Sequence, residues 1–251
     1  VLAADYLGGV TFGVLIGIAA AVGAAEFYLL CRAAGSRPAI LLGVPASAVI
    51  AALPLIVSSP QRAWVGILVL LALAAGAIYL SPTLYSRGLD GWLATLGGAL
   101  YVGVLLGHLS LLRQLHAGAW WVFGALLMTW AYDTGAYLVG SQIGRRPFMQ
   151  HISSRKTVEG VMGGLVLSGV AAFVLVPTVG VAAPLALALG LFVGAVAQAG
   201  DLVESMFKRR ASVKDSGGII PGHGGMLDRI DALLFTSAVT FYAAALLGYV
   251  S

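Results

Sequence analysis

Residues 201–231 read DLVESMFKRRASVKDSGGIIPGHGGMLDRID and hold five of the chain's ten carboxylates with five of its fourteen Lys and Arg side chains. Acids at this density suit a divalent cation. The interleaved cations, glycines and histidine suit phosphate groups. If the segment begins as helix, Asp201, Ser205 and Lys208 follow at i, i+4 and i+7 and share one face. A carboxylate and an ammonium there can both reach an anion–metal complex; solvated charges at a helix end are the plainer account. Asp228 and Asp231, at i and i+3, also share a face. They read either as a capping arrangement at a helix start or as ligands for Mg²⁺, which takes one or two protein carboxylates and fills its other positions with water and phosphate. Both accounts can hold for Asp228. Between these groups lie Lys214-Asp215-Ser216-Gly217-Gly218 and Pro221-Gly222-His223-Gly224-Gly225. Glycines there let successive N–H groups converge on an anion.

A second polar segment, residues 140–160, carries Ser153, Ser154, Arg155, Lys156 and Thr157, with Glu159 placed to cap a helix or pair with Lys156. Anchoring to lipid headgroups explains it equally well. Asp133, late in an apolar aromatic run, is a functional candidate because an intramembrane acid is costly to keep. Glu26 and His108, also in apolar runs, read as hydrogen-bonded structural residues. Cys31 is the only cysteine, so neither an internal disulfide nor a cysteine metal cluster can form.

The elements that must position these residues are membrane helices. The chain is 60% hydrophobic and 10% charged, with a mean hydropathy of +0.97. That excludes an ordinary soluble domain. The apolar runs do not alternate as barrel strands would. The expected fold is all-α and polytopic, with eight spans near 9–31, 38–58, 63–81, 92–112, 118–140, 160–177, 181–200 and 232–250. Each is about 18–23 residues, enough to cross a bilayer core. The numbering starts at Val1 rather than Met, and one further N-terminal span is expected to be missing from it. Twelve of the fourteen basic residues fall in odd-numbered connections and only Arg62 and Arg113 in even ones, so the odd connections belong in the cytoplasm. One transmembrane domain is expected, with a bland scaffold half, 1–130, and a chemical half, 131–251. The latter holds the polar connections 141–159 and 201–231 and seven of the ten acids. Pro45 and Pro54 should kink the second span. Gly13–Gly17 and Gly190–Gly194 have the spacing of close helix packing.

Ser205-Met-Phe-Lys208-Arg209, four residues, Lys214-Asp215, then Pro221-Gly-His223-Gly224-Gly225-Met-Leu-Asp228-Arg229-Ile-Asp231 resembles the signature of phosphatidate cytidylyltransferases (CDP-diacylglycerol synthases). Gly200-Asp201-Leu-Val-Glu204-Ser205, Asp133-Thr-Gly-Ala-Tyr137 and Lys156-Thr157-Val-Glu159-Gly160 fit as well, so the resemblance covers residues 130–235. The chain has Ser153-Ser154-Arg155-Lys156 where the family often has Ser-Pro-Lys-Lys, which keeps the cations.

The resemblance implies a Mg²⁺-dependent reaction of CTP with phosphatidate, giving CDP-diacylglycerol and pyrophosphate. A second cation is left open. Asp201, Asp228 and Asp231 would hold the metal, with Asp133 a weaker candidate at the substrate. Lys208, Arg209, Lys214 and His223 would contact phosphates. Ser205, Gly224 and Gly225 would shape the cradle, and Lys156 and Thr157 would bind nucleotide or lipid phosphate. The lipid phosphate is already ionised, so no strong base is required. The implied partners are CTP and membrane lipids, with no nucleic acid, and a homodimer is left open. The implied location is the bacterial inner membrane, with the reactive side in the cytoplasm. A CTP-dependent polyprenol or phytol kinase is the nearest rival, and a transporter a remoter one, since no internal repeat is visible. The acids and cations are expected to converge at the inner leaflet.

Overall fold

In the computed structural model, residues 9–81, 88–153, 155–218 and 224–249 are described. Helices follow the hydropathy: α1 Gly9–Ala33, α2 Ile40–Ala52, α3 Pro60–Tyr79, α4 Gly88–Gly98, α5 Leu105–Gln114, α6 Gly118–Ile143, α7 Val158–Leu175, α8 Ala183–Arg210 and α9 Leu227–Leu246. A π segment, Ala99–Val104, fuses α4 and α5 into one rod. No strand occurs among the described residues, only an isolated antiparallel bridge between Pro147 and Thr157. The protein is therefore all-α and polytopic.

Among the described residues six rods are long and apolar enough to cross a membrane: α1, α3, the α4–α5 rod, α7 with its terminal turn, α8 and α9. Two of the eight anticipated spans differ in kind. Helix α6 has the length but is not among the six, and its sequence includes Thr129, Asp133, Thr134, Ser141 and Gln142. The second span is a shorter apolar helix, Ile40–Leu55. Pro54 has no amide to offer the Ile50 carbonyl, so the helix tightens into a 3₁₀ turn at Leu53–Leu55. Trp64 Nε1 donates to that carbonyl at 2.7 Å, and Ser110 Oγ donates to the next one, on Ala51, at 2.7 Å.

The chain forms two compact units, Val1–Leu111 with Phe207–Ile230, and Leu112–Met206 with Asp231–Ser251. In the first unit, the segment after Met206 packs with the first 111 residues. In the first unit the Phe27, Tyr101 and Phe207 rings meet with centroids 5.1–5.4 Å apart, which ties the last turn of α8 to α1. In the second unit Tyr132, Ala197 and Ala232 form a core, with Ala136 and Leu165 against it. Polar contacts join its helices where hydrocarbon offers no alternative partner. Tyr132 Oη donates to Gln198 Oε1 at 2.6 Å, Thr129 and Thr236 hydroxyls meet at 2.8 Å, and Ser168 Oγ donates to the Gly190 carbonyl at 2.8 Å. A Cβ at Gly190 would collide with Ser168 and Ala172, which bears out the close packing expected from the glycine spacing.

Candidate active site

The first unit gathers one cluster around the start of α9. Asp228 lies in the first turn of that helix, and its two oxygens have different partners. Oδ2 accepts from the Ser216 amide at 2.9 Å, the Ser216 hydroxyl at 2.9 Å and the Gly225 amide at 2.8 Å. Oδ1 takes Lys208 Nζ at 2.6 Å, from the last turn of α8. The two side chains are only 14% and 15% exposed, so the pair is shielded from water and screened less than a surface pair. Two backbone amides fix Oδ2, with the Ser216 hydroxyl beside them, and Oδ1 is the oxygen available to exchange its lysine for another cation.

The capping expectation is realised differently from the sequence pattern. Asp228 is not the residue before the helix, because Leu227 is the first helical residue. Its carboxylate reaches back to Gly225 instead. The next two amides, Met226 and Leu227, donate to Glu26 in α1 at 3.1 and 2.7 Å. Glu26 is 2% exposed and also accepts from the Ser216 hydroxyl at 3.1 Å. A helix start carries unsatisfied N–H groups and a partial positive charge, and here two carboxylates satisfy them. The signal for Glu26 in the sequence was an acid in an apolar run, read as structural. Its partners, about two hundred residues away, had no local signature.

The glycines of the signature have definite tasks. Gly224 has φ of +77°, a conformation that side chains disfavour. A Cβ on Gly225 would strike the Glu26 carboxylate and the Ser216 hydroxyl, and its amide already serves Asp228. Lys214 and Arg209 are exposed. His223 lies outside the described residues.

The second unit holds the other cluster. Lys156 Nζ pairs with Asp201 Oδ2 at 2.5 Å, and Ser205 Oγ donates to Asp201 Oδ1 at 3.3 Å, one helical turn on. The anticipated shared face of Asp201 and Ser205 is thus present, whereas Lys208 turns to Asp228. Asp133, exposed on α6, lies within electrostatic reach of both Asp201 and Lys156. Asp231 is half-buried on α9, and α8 crosses α9 beside it: a Cβ on Gly200 would come within 2.9 Å of the Asp231 carbonyl. That places Asp201 and Asp231 on neighbouring helices at one crossing.

Local hydrogen bonds hold Lys156 in place. Phe148 N donates to the Lys156 carbonyl at 2.8 Å, and Val158 N to the Arg146 carbonyl at 2.9 Å. Thr157 is the N-cap of α7, its hydroxyl accepting from Gly160 N at 3.2 Å. Glu159 does not pair with Lys156. It accepts from the amides of Arg145 and Arg146 at 3.0 and 3.1 Å and from Arg146 Nε at 2.9 Å. These bonds close the 145–159 loop and leave Lys156 to Asp201.

The donor chemistry fits a hard cation. Asp228 in the first unit, and Asp201, Asp231 and the Ser205 hydroxyl in the second, supply oxygen only, the ligand type Mg²⁺ prefers. Among the described residues no three His, Cys, Asp or Glu side chains are gathered as a ready cage. An ion held by the carboxylates of either unit would therefore draw further ligands from water and substrate phosphate.

The chain matches the cytidylyltransferase family over residues 1–247. It is 42% identical over 151 residues to the phosphatidate cytidylyltransferase of Bacillus subtilis (strain 168), covering 59% of this chain and 56% of that protein. It is 40% identical over 189 residues to that of Staphylococcus saprophyticus and 38% identical over 189 residues to that of Staphylococcus aureus (strain COL), covering 72% of each chain in both cases. The match to the Bacillus relative thus spans little more than half of that protein's length. With the family match running nearly end to end, the chain belongs to the cytidylyltransferase family.

Proposed function

We propose that this protein transfers the cytidylyl group of CTP to phosphatidate, releasing pyrophosphate and forming CDP-diacylglycerol. A phosphate oxygen of the lipid forms a new bond to the α-phosphorus of CTP. The bond from that phosphorus to the bridging oxygen of the leaving pyrophosphate breaks. The attacking oxygen is ionised near neutral pH, so the protein has no proton to remove. Its tasks are to hold two polyanions together and to stabilise charge on the leaving group.

One observation carries this reading. The Asp201 and Asp228 carboxylates each sit on a lysine, Lys156 at 2.5 Å and Lys208 at 2.6 Å. Both pairs are charge-neutral at rest and supply what a metal–triphosphate complex demands, oxygen for the cation and ammonium for the phosphates. The signature assigns Mg²⁺ to Asp201, Asp228 and Asp231, and the ion would supply charge neutralisation on the phosphates. Lys156 and Lys208 turn from their carboxylates to phosphate oxygens. Arg209 and Lys214, exposed near the end of α8, add attraction for the nucleotide. Ser205 steadies Asp201, and Gly224 and Gly225 give the loop the backbone course that presents Asp228. His223 is assigned a phosphate contact from the signature alone. The twelve-to-two distribution of basic residues supports a reactive side facing the cytoplasm of a bacterial inner membrane.

Purified protein in detergent, given CTP labelled in its α-phosphate and phosphatidate, is expected to place the label in the lipid fraction only when Mg²⁺ is present. Pyrophosphate should be the co-product. Release of CDP with a phosphorylated lipid alcohol would instead indicate a CTP-dependent lipid kinase and overturn the assignment.

A further inference from the structure

We propose that Glu26 is a positioning residue for the reaction: a buried carboxylate of α1 that clamps the start of α9 and, through the Ser216 hydroxyl, sets the orientation of Asp228. The inference rests on the functional reading above, in which Asp228 is a working carboxylate.

The geometry is specific. Among the described residues the hydrogen-bond partners of Glu26 are neutral donors, the Met226 and Leu227 amides and the Ser216 hydroxyl. A carboxylate 2% exposed is costly to bury unless its lone pairs are filled. Amides at a helix start fill them well, because the helix dipole adds to each bond. The surrounding chain is shaped to admit the group. A Cβ on Gly217 or on Gly225 would overlap the Glu26 carboxylate, so both positions leave room for it. The clamp therefore has matched parts on α1, on the loop after α8 and at the start of α9.

Ser216 is the link. Its oxygen lies 3.1 Å from Glu26 Oε2 and 2.9 Å from Asp228 Oδ2, yet a hydroxyl has one proton to donate. It serves one carboxylate at a time. Asp228 Oδ2 keeps two amide donors when the proton goes to Glu26, so the carboxylate stays oriented while Oδ1 exchanges lysine for a cation. Glu26 makes this possible without contacting substrate: it holds the backbone that carries Ser216, Gly225 and Asp228 in register.

The test compares the full chain with Glu26→Gln, Ser216→Ala and the double variant, reading amide hydrogen exchange and steady-state kinetics. A glutamine presents an NH₂ where the amides need an acceptor. Exchange at Gly225–Leu227 should rise about tenfold or more, with α1 itself unchanged. The kcat should fall by about tenfold or more while KM for phosphatidate holds, because orientation rather than binding is lost. Losses from Glu26→Gln and Ser216→Ala should be less than additive, since the two side chains share one hydrogen bond.

Unchanged exchange at Gly225–Leu227, an unchanged kcat, or strictly additive losses would overturn the proposal. If Glu26→Gln loosens every helix, Ser216→Ala alone decides: a wild-type kcat there sinks the link to Asp228. If the unaltered protein makes no CDP-diacylglycerol, the functional reading fails by itself, and the exchange data still decide whether Glu26 holds the α9 start.

Discussion

At the scale of single residues, the two oxygens of one carboxylate do different work. Asp228 Oδ2 is held by three donors and Oδ1 by one lysine 2.6 Å away. Asparagine keeps the shape but places an amide against those donors or against Lys208. Asp228→Asn is expected to lower kcat/KM on the order of a hundredfold, the scale of losing a preorganised electrostatic contact, with helix content retained in circular dichroism. The lysines should behave differently. Lys208→Met frees Oδ1 from its resting partner but removes a phosphate contact. Manganese binding without nucleotide, followed by electron paramagnetic resonance, should tighten, while KM for CTP rises. Weaker manganese binding in Lys208→Met would contradict the idea that lysine and metal compete for Oδ1.

At the scale of elements, helix ends and crossings place these residues. Helices α8 and α9 meet backbone to backbone at Gly200, next to Asp201. Gly200→Ala puts a methyl group against the Asp231 carbonyl and the Ala232 Cα, at 2.9 and 3.0 Å, and must part the helices beside two candidate ligands. Overpacking of this kind costs about 1–3 kcal/mol, read as a lower thermal midpoint in detergent, and turnover should fall with it. In the first unit, Trp64→Phe should cost a similar amount by orphaning the Ile50 carbonyl. Pro54→Ala restores a backbone donor there, so Trp64→Phe should cost less in that background; an equal cost would refute the account of the shortened second helix.

At the scale of the whole molecule, charge sidedness is the property to test. Cys31 is the only cysteine, so Cys31→Ser gives a clean background for single-cysteine labelling. Arg145→Cys and Lys214→Cys should label from the cytoplasmic side of oriented vesicles, and Arg62→Cys from the other. Labelling of all three from one side would break the topology and the cytoplasmic assignment with it.

The composition, the apolar runs and the signature were all legible in the order of residues, because hydropathy and helical periodicity are local properties. The i, i+4 relation of Asp201 and Ser205 is one example. Which charges pair was not legible. Lys208 lies on the face of Asp201 by spacing yet bonds Asp228, Glu159 takes Arg146 rather than Lys156, and Glu26 caps a helix that begins at residue 227. Each choice depends on which helices pack together and on where a missing Cβ leaves room. Burial makes an unpaired charge or amide costly, so the partner that completes the bonding wins, and only the packed chain decides which partner is within reach.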